Sequence, residues 1–235
     1  MTQTMSIWRR VLDRRRHPFY VRIGLTALLV WVFASLADEV LDGETIAFDT
    51  AVTGFFREPG DTHDPWGPVW FEEAMRDVTG LGSITVLGFV LLATVLYLSL
   101  SGARRTALFV AFAVSGGALL STGLKLLFDR PRPEVEAAAR VFSASFPSGH
   151  ATDSAVVYLT LGLLLAEASR SRRIKAYFLA LGLIMTIVVG ISRVYLGVHF
   201  PTDVLAGWAI GSAWALACWA GYALLLGRRS ETGPT

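Results

Sequence analysis

The chain has 235 residues, 53% of them hydrophobic and only 17% charged, with a formal net charge of +2 and a mean hydropathy of +0.51. Ordinary soluble domains carry about 25% charged residues, and one soluble core of this length cannot hide so large an apolar share, so a membrane-embedded chain is expected. The small net charge gives no reason to expect a nucleic-acid partner. The single cysteine, Cys218, excludes an intrachain disulfide and reads as a small buried hydrophobe, and no Cys/His cluster has zinc spacing.

In chain order, a basic N-terminal arm comes first, residues 1–22, with Arg9, Arg10, Arg14, Arg15, Arg16 and Arg22 and no cleavable signal pattern. Six apolar runs of near-spanning length follow, at 23–37, 81–100, 106–127, 151–168, 176–194 and 204–226. The first reaches spanning length if it continues to Val40. An outer segment, about 38–79, separates the first two runs. From Asp38 to Asp77 it holds eleven acids against two arginines, Arg57 and Arg76, together with Trp66 and Trp70. It is expected to form short amphipathic helices on the membrane surface, for example around 66–76. A basic tail, 227–235, closes the chain, and 230–235 reads as frayed.

These elements predict an all-α, six-span domain over 23–226. Alternating spans place 14 of the 21 basic residues on one side, including Arg104, Arg105, Arg170, Arg172, Arg173, Lys175, Arg228 and Arg229. By the positive-inside rule both termini are cytoplasmic, in an inner or plasma membrane.

That map leaves a set of polar residues at the outer ends of the spans. Lys125 ends the third span and Arg132 follows it. Ser148, Gly149 and His150 open the fourth, Ser192 and Arg193 end the fifth, and His199 and Asp203 open the sixth. Any one of them has a plain reading: Arg132 and Arg193 as headgroup anchors, Lys125 as a snorkelling lysine, His199 as an interfacial cap. Together, Lys and Arg suit a phosphate, and the free N–H groups where a helix begins at Ser148–Gly149 make a further anion site. One histidine can attack phosphorus while the other protonates the leaving oxygen. Asp203, one helical turn after His199, can orient its imidazole. Phosphoryl transfer needs mainly charge neutralisation and alignment, which this inventory supplies.

The three segments Lys125-x6-Arg132-Pro133, Pro147-Ser148-Gly149-His150 and Ser192-Arg193-x5-His199-x3-Asp203 resemble, in order and spacing, the signature of the phosphatidic acid phosphatase type 2 and haloperoxidase superfamily. The motifs cover 125–203, and the six-span layout extends the likeness over most of the chain. The resemblance implies that His199 is the nucleophile of a phosphohistidine intermediate, Asp203 its orienting carboxylate and His150 the general acid. It implies that Lys125, Arg132, Arg193, Ser148 and Gly149 bind the phosphate, with Ser192 in a supporting role, and that neither metal nor other cofactor is needed. The implied activity is hydrolysis of a lipid phosphomonoester or pyrophosphate at the outer leaflet.

Undecaprenyl pyrophosphate is the first-choice substrate, with a broad phosphatidate or phosphatidylglycerol phosphate phosphatase as the alternative. A non-hydrolytic anion-binding membrane protein is a remote one, since neither inverted repeats nor broken helices are visible. Haloperoxidase relatives are soluble, and this chain is not expected to be. The sequence sets no oligomeric state.

A few residues stand apart from this pattern. Asp153 departs from the apolar or small residue expected there, and reads as favouring the positive end of its helix rather than as tuning His150. Arg130 reads as a solvated loop residue rather than a phosphate contact. His17 and His63 have no partner at useful spacing. Gly207-x3-Gly211 reads as close packing within the bundle. Trp8, Trp66, Trp70 and Trp208 read as belt residues at the membrane interface.

Overall fold

A computed structural model describes residues 17–133 and 144–230, with the side chains of 17–18, 62–63 and 225–230 left aside. The basic arm up to Arg16, Trp8, the side chains of His17, His63, Arg228 and Arg229, and the chain end at 231–235 thus lie outside the described residues. Eight helices and one small hairpin follow in order: α1 (His17–Leu41), α2 (Ile46–Phe55), β1 (Arg57–Glu58), β2 (Asp61–Pro65), α3 (Val69–Gly80), α4 (Ile84–Leu100), α5 (Arg104–Leu127), α6 (Gly149–Ala168), α7 (Arg172–Tyr195) and α8 (Pro201–Ser230).

Five of these helices are long and apolar enough to cross a membrane: α1 from Phe19, α5, α6, α7, and α8 as far as Leu224. The remaining expected run, the second, forms α4, which reaches the length and hydropathy of a span only together with α3, so the described helices give five spans, or six with that pair counted as one. It has 17 residues, the lower limit for spanning, and it meets α3 at a 46° bend. Ser83 caps α4 by accepting from the Val86 amide at 3.3 Å. The six expected runs thus all become helices; five extend by a few residues at one or both ends, while the second starts three residues later than expected, at Ile84.

The outer segment departs from expectation in part. The helix expected around 66–76 is present as α3, and α2 precedes it, but an antiparallel hairpin lies between them. Gly60, at φ +99°, makes the turn a β-carbon would strain.

The bundle is inverted relative to a soluble protein, with large apolar side chains outward and small residues at the helix contacts. Leu126 is 84% exposed and Phe89 72%. Central α6 packs against α4, α5, α7 and α8, while α1 lies along α8 and α3 against α7. Glycines permit this closeness. A methyl at Gly211 would sit 2.5 Å from the Thr152 carbonyl oxygen, and one at Gly207 2.8 Å from that of Ser148. Gly207-x3-Gly211 therefore seats α8 on α6, as the spacing predicted. Trp208, read from sequence as a belt residue, is half-buried: its ring fills the space over Gly190, and its Nε1 donates to the Thr186 carbonyl at 3.0 Å. Cys218 packs half-buried against an apolar cluster around Trp219.

Candidate active site

The C-terminal ends of α5 and α7 meet the N-terminal ends of α6 and α8, because the helices alternate in direction. The other ends of these 20- to 30-residue helices carry Arg104, Arg105 and Arg172, Arg173, Lys175. At 1.5 Å per residue those clusters lie about 30 Å away. The last described stretch before α6 is fixed by aromatic packing. Phe146, fully buried, stacks on Phe33 of α1 at 5.9 Å and meets Phe128 edge-on at 4.9 Å. This holds Ser145 through Ser148 against the start of α8, where the Ser148 amide donates to the Asp203 carbonyl at 2.9 Å.

His199 lies in the short turn between α7 and α8 and is 1% exposed. Its Nδ1 is 3.4 Å from Asp203 Oδ2, and its Nε2 is 3.1 Å from Arg132 Nη1. A guanidinium can only donate, so Nε2 is the acceptor and the ring proton sits on Nδ1, facing the carboxylate. Burial pushes the imidazole down to about 3, with Arg193 and Arg132 adding to this against the pull of Asp203, so the ring is neutral at physiological pH. Asp203 is 0% exposed and heavily bonded: it accepts from the Phe200 amide at 2.9 Å, from Arg130 Nη1 at 2.5 Å and from the Ser145 hydroxyl.

The cations gather around this pair. Arg132 also donates to the Val198 carbonyl at 2.7 Å, and burial lowers its pKa. Lys125 donates to the Ala144 carbonyl at 2.9 Å, and a methyl at Gly149 would lie 3.2 Å from its Cε, so its ammonium lies at the N-terminus of α6. Arg193, nearly buried, donates to Thr79 Oγ1 at 3.0 Å. His150 is half-buried against Gly82, and Arg193, Lys125 and Arg132 all act on it electrostatically. Among the described residues, Ser148 Oγ and Arg193 Nε are buried without a hydrogen-bond partner. Polar groups in that state call for an acceptor or donor from outside. All eight expected site residues thus converge at one end of the bundle. Ser192, by contrast, turns its hydroxyl to the Val189 carbonyl at 2.6 Å. Among the described residues, no group of three or more His, Cys, Asp or Glu could hold a metal ion.

Several partners escaped sequence reasoning. Arg130 is not solvated: its Nη2 bonds Asp49 Oδ2 at 2.6 Å and Thr45 Oγ1 at 3.1 Å, while its Nη1 reaches Asp203 and Thr202. Asp49 in turn takes the Thr202 amide at 3.0 Å. Asp49 was one acid among eleven, and only its place in the first turn of an amphipathic helix distinguishes it. No sequence signal marks Ser145 or Thr79. Asp153 lies beyond the first turn of α6, where Lys125 and Ser121 act on its carboxylate, so side chains rather than the helix end surround it.

The sequence profile of the PAP2 superfamily matches residues 104–225. Phosphatidylglycerophosphatase B of Bacillus subtilis (strain 168) is 35% identical over 146 residues, 60% of this chain and 70% of that protein. An undecaprenyl-diphosphatase of Sulfolobus acidocaldarius is 41% identical over 68 residues, 29% of each chain. The crystal structure of a transmembrane PAP2-type phosphatidylglycerolphosphate phosphatase from Bacillus subtilis superposes with a TM-score of 0.70 at 26% identity, covering 88% of this chain and 97% of that one.

Proposed function

From the premise that this chain belongs to the PAP2 superfamily, and is a multi-pass membrane phosphatase of lipid phosphate esters or diphosphates, we propose that it removes the terminal phosphate of a lipid diphosphate through a phosphohistidine on His199. The observation that carries this reading is the pair of contacts on one buried imidazole, Nδ1 toward Asp203 and Nε2 toward Arg132. The lone pair of Nε2 attacks phosphorus in line, and the bond from phosphorus to the leaving oxygen breaks. His150 gives that oxygen its proton. Asp203 stabilises the cationic ring that forms, while Lys125, Arg132, Arg193, the Ser148 hydroxyl and the Gly149 amide neutralise the phosphoryl oxygens. Water then attacks the phosphohistidine, His150 takes its proton, and inorganic phosphate leaves with His199 neutral again.

Undecaprenyl diphosphate is the favoured substrate in an outward-facing site, with the 1–22 arm and the 227–235 tail cytoplasmic. The long match to a Bacillus subtilis phosphatidylglycerophosphatase supports a second reading, in which phosphatidylglycerol phosphate is the substrate. The test is phosphate release by the detergent-purified protein from both lipids, with EDTA present throughout. The reading expects turnover, inhibition by vanadate, and a loss of at least about 10³-fold in His199→Ala. Undiminished turnover in that variant ends the mechanism, and the ratio of kcat/KM for the two lipids decides the substrate.

A further inference from the structure

Helices α3 and α4 are joined by a tight turn, and that turn lies against the candidate active site. Three successive short-range bonds make it: the Leu81 amide donates to the Val78 carbonyl at 3.1 Å, Gly82 to Thr79 at 3.0 Å and Ser83 to Gly80 at 3.0 Å. Helices α6 and α7 hold it on two sides. The Tyr158 hydroxyl of α6 donates to the Leu81 carbonyl at 2.8 Å, and Arg193 of α7 donates to Thr79 Oγ1 at 3.0 Å. Gly82 is buried between them. A β-carbon there would lie 2.4 Å from Val189 Cγ1, and 3.3 and 3.4 Å from Cδ2 and Cβ of His150, so the backbone itself packs against the side chain of the expected general acid. The two histidines are thus held differently. His199 has Asp203 on one ring nitrogen and Arg132 on the other. Among the described residues, no hydrogen bond holds the ring of His150. A group that gives up a proton in one step and takes one back in the next needs its reactive nitrogen free. Packing then orients the ring, and Gly82 supplies that packing.

We propose that the 79–83 turn is a positioning element for the phosphoryl transfer: Gly82 sets the pose from which His150 protonates the leaving oxygen, and Thr79 holds the Arg193 guanidinium for the phosphate. This rests on the lipid phosphatase reading above and gives two further residues a part in it. Neither touches substrate. Each acts through the one site side chain it contacts, so the two fail in different ways. Loss of the Gly82 contact misplaces the proton donor at the breaking P–O bond and leaves anion binding intact. Loss of the Thr79 hydroxyl weakens the hold on phosphate whatever the leaving group.

The test uses the detergent-purified protein, two phosphomonoesters and vanadate. Phosphatidylglycerol phosphate loses an alcohol that must be protonated as the P–O bond breaks, whereas 4-nitrophenyl phosphate loses a phenolate that needs no proton. For both, kcat/KM covers the steps up to release of that group. Gly82→Ala is made in a Val189→Ala background, which removes the nearer neighbour and leaves His150 to meet the new methyl. Relative to Val189→Ala alone, kcat/KM for the lipid falls about fivefold or more, while kcat/KM for the aryl ester and the inhibition constant for vanadate stay within about twofold. Thr79→Val keeps the shape and removes the acceptor. There kcat/KM falls for both esters and vanadate inhibition weakens about fivefold or more, and Thr79→Ser restores both. If Gly82→Ala fails to fold, Tyr158→Phe frees the turn from α6 without added bulk and is expected to show the same split between the lipid and the other two readouts. In either of these variants, equal losses in every readout, or no loss at all, make the turn a packing feature and overturn the positioning of His150. Unchanged vanadate inhibition in Thr79→Val, or no restoration by serine, overturns the positioning of Arg193. An unaltered protein that releases phosphate from neither these esters nor undecaprenyl diphosphate overturns the phosphatase reading, and the turn's role with it. That result is distinct from an active enzyme with uniform losses.

Discussion

Arg130 donates to Asp203 from one terminal nitrogen and to Asp49 from the other, so outer helix α2 and the carboxylate beside His199 share a single guanidinium. Its plane also stacks 4.7 Å above Phe200, which fixes the fork. Arg130→Ala leaves two carboxylates, 1% and 0% exposed, without their cation. The expected cost is about 3–5 kcal/mol, read as a fall in thermal stability in detergent. Arg130→Lys recovers only part of it, because a point charge cannot bridge both acids. In a double-mutant cycle with Asp49→Asn the coupling energy exceeds about 1 kcal/mol, and additive single effects would refute the bridge. His199 supplies a pH test. Its folded pKa, about 3, lies below the unfolded value of about 6.5. Between those values the unfolded chain takes up a proton that the folded one refuses. The stability this group contributes is therefore complete above about pH 6.5 and is lost progressively as pH falls toward 3. The nucleophile itself stays neutral at pH 5. Single-turnover formation of the phosphoenzyme is expected to keep most of its pH 7 rate there, and an acid limb centred near 6.5 would contradict a buried neutral ring.

At the scale of elements, the site depends on how closely α8 approaches α6. Helix α6 brings Ser148, Gly149 and His150 at its start, and α8 brings Asp203. Gly207 and Gly211 set their separation through backbone contacts that leave no room for a side chain. Overpacking by a branched residue costs about 1–3 kcal/mol in an ordinary core, and here the obstruction is backbone, which has little freedom to yield. Gly211→Val is thus expected to lose at least that much stability and to lose activity in parallel, although no substrate touches it. A variant with full activity and an unchanged unfolding temperature would show that the two helices can separate freely. Phe146 plays the matching part for the loop before α6. Truncation to alanine is expected to cost about 3–5 kcal/mol, because Phe33 and Phe128 lose the ring between them.

For the whole molecule, the proposed orientation can be checked with the chain's own single cysteine removed. In a Cys218→Ala background, Glu73→Cys on α3 is expected to react with a membrane-impermeant maleimide in intact cells. Ser171→Cys, at the opposite end of the bundle, is expected to react only after lysis. The reverse pattern would place the candidate active site on the cytoplasmic face.

The amino-acid sequence by itself determined that the chain is a bundle of apolar helices, where its six apolar runs lie, and the gathering of Lys125, Arg132, Ser148, His150, Arg193, His199 and Asp203 at one end of the bundle. Those properties follow from sums over about twenty neighbouring residues and from motif spacings, which are local quantities. Only the tertiary structure decided that Arg130 answers Asp49 across 81 positions, that Ser145 supports Asp203, that Trp208 packs over Gly190 and that Arg57 is left with unmet donors. The physical reason is the solvent. Lipid is as apolar as a protein interior, so hydrophobic patterning does not separate the faces of a helix that meet lipid from those that meet other helices. Where polar side chains find their partners is then set by close packing at glycines, and the contacts that result join segments far apart in the chain.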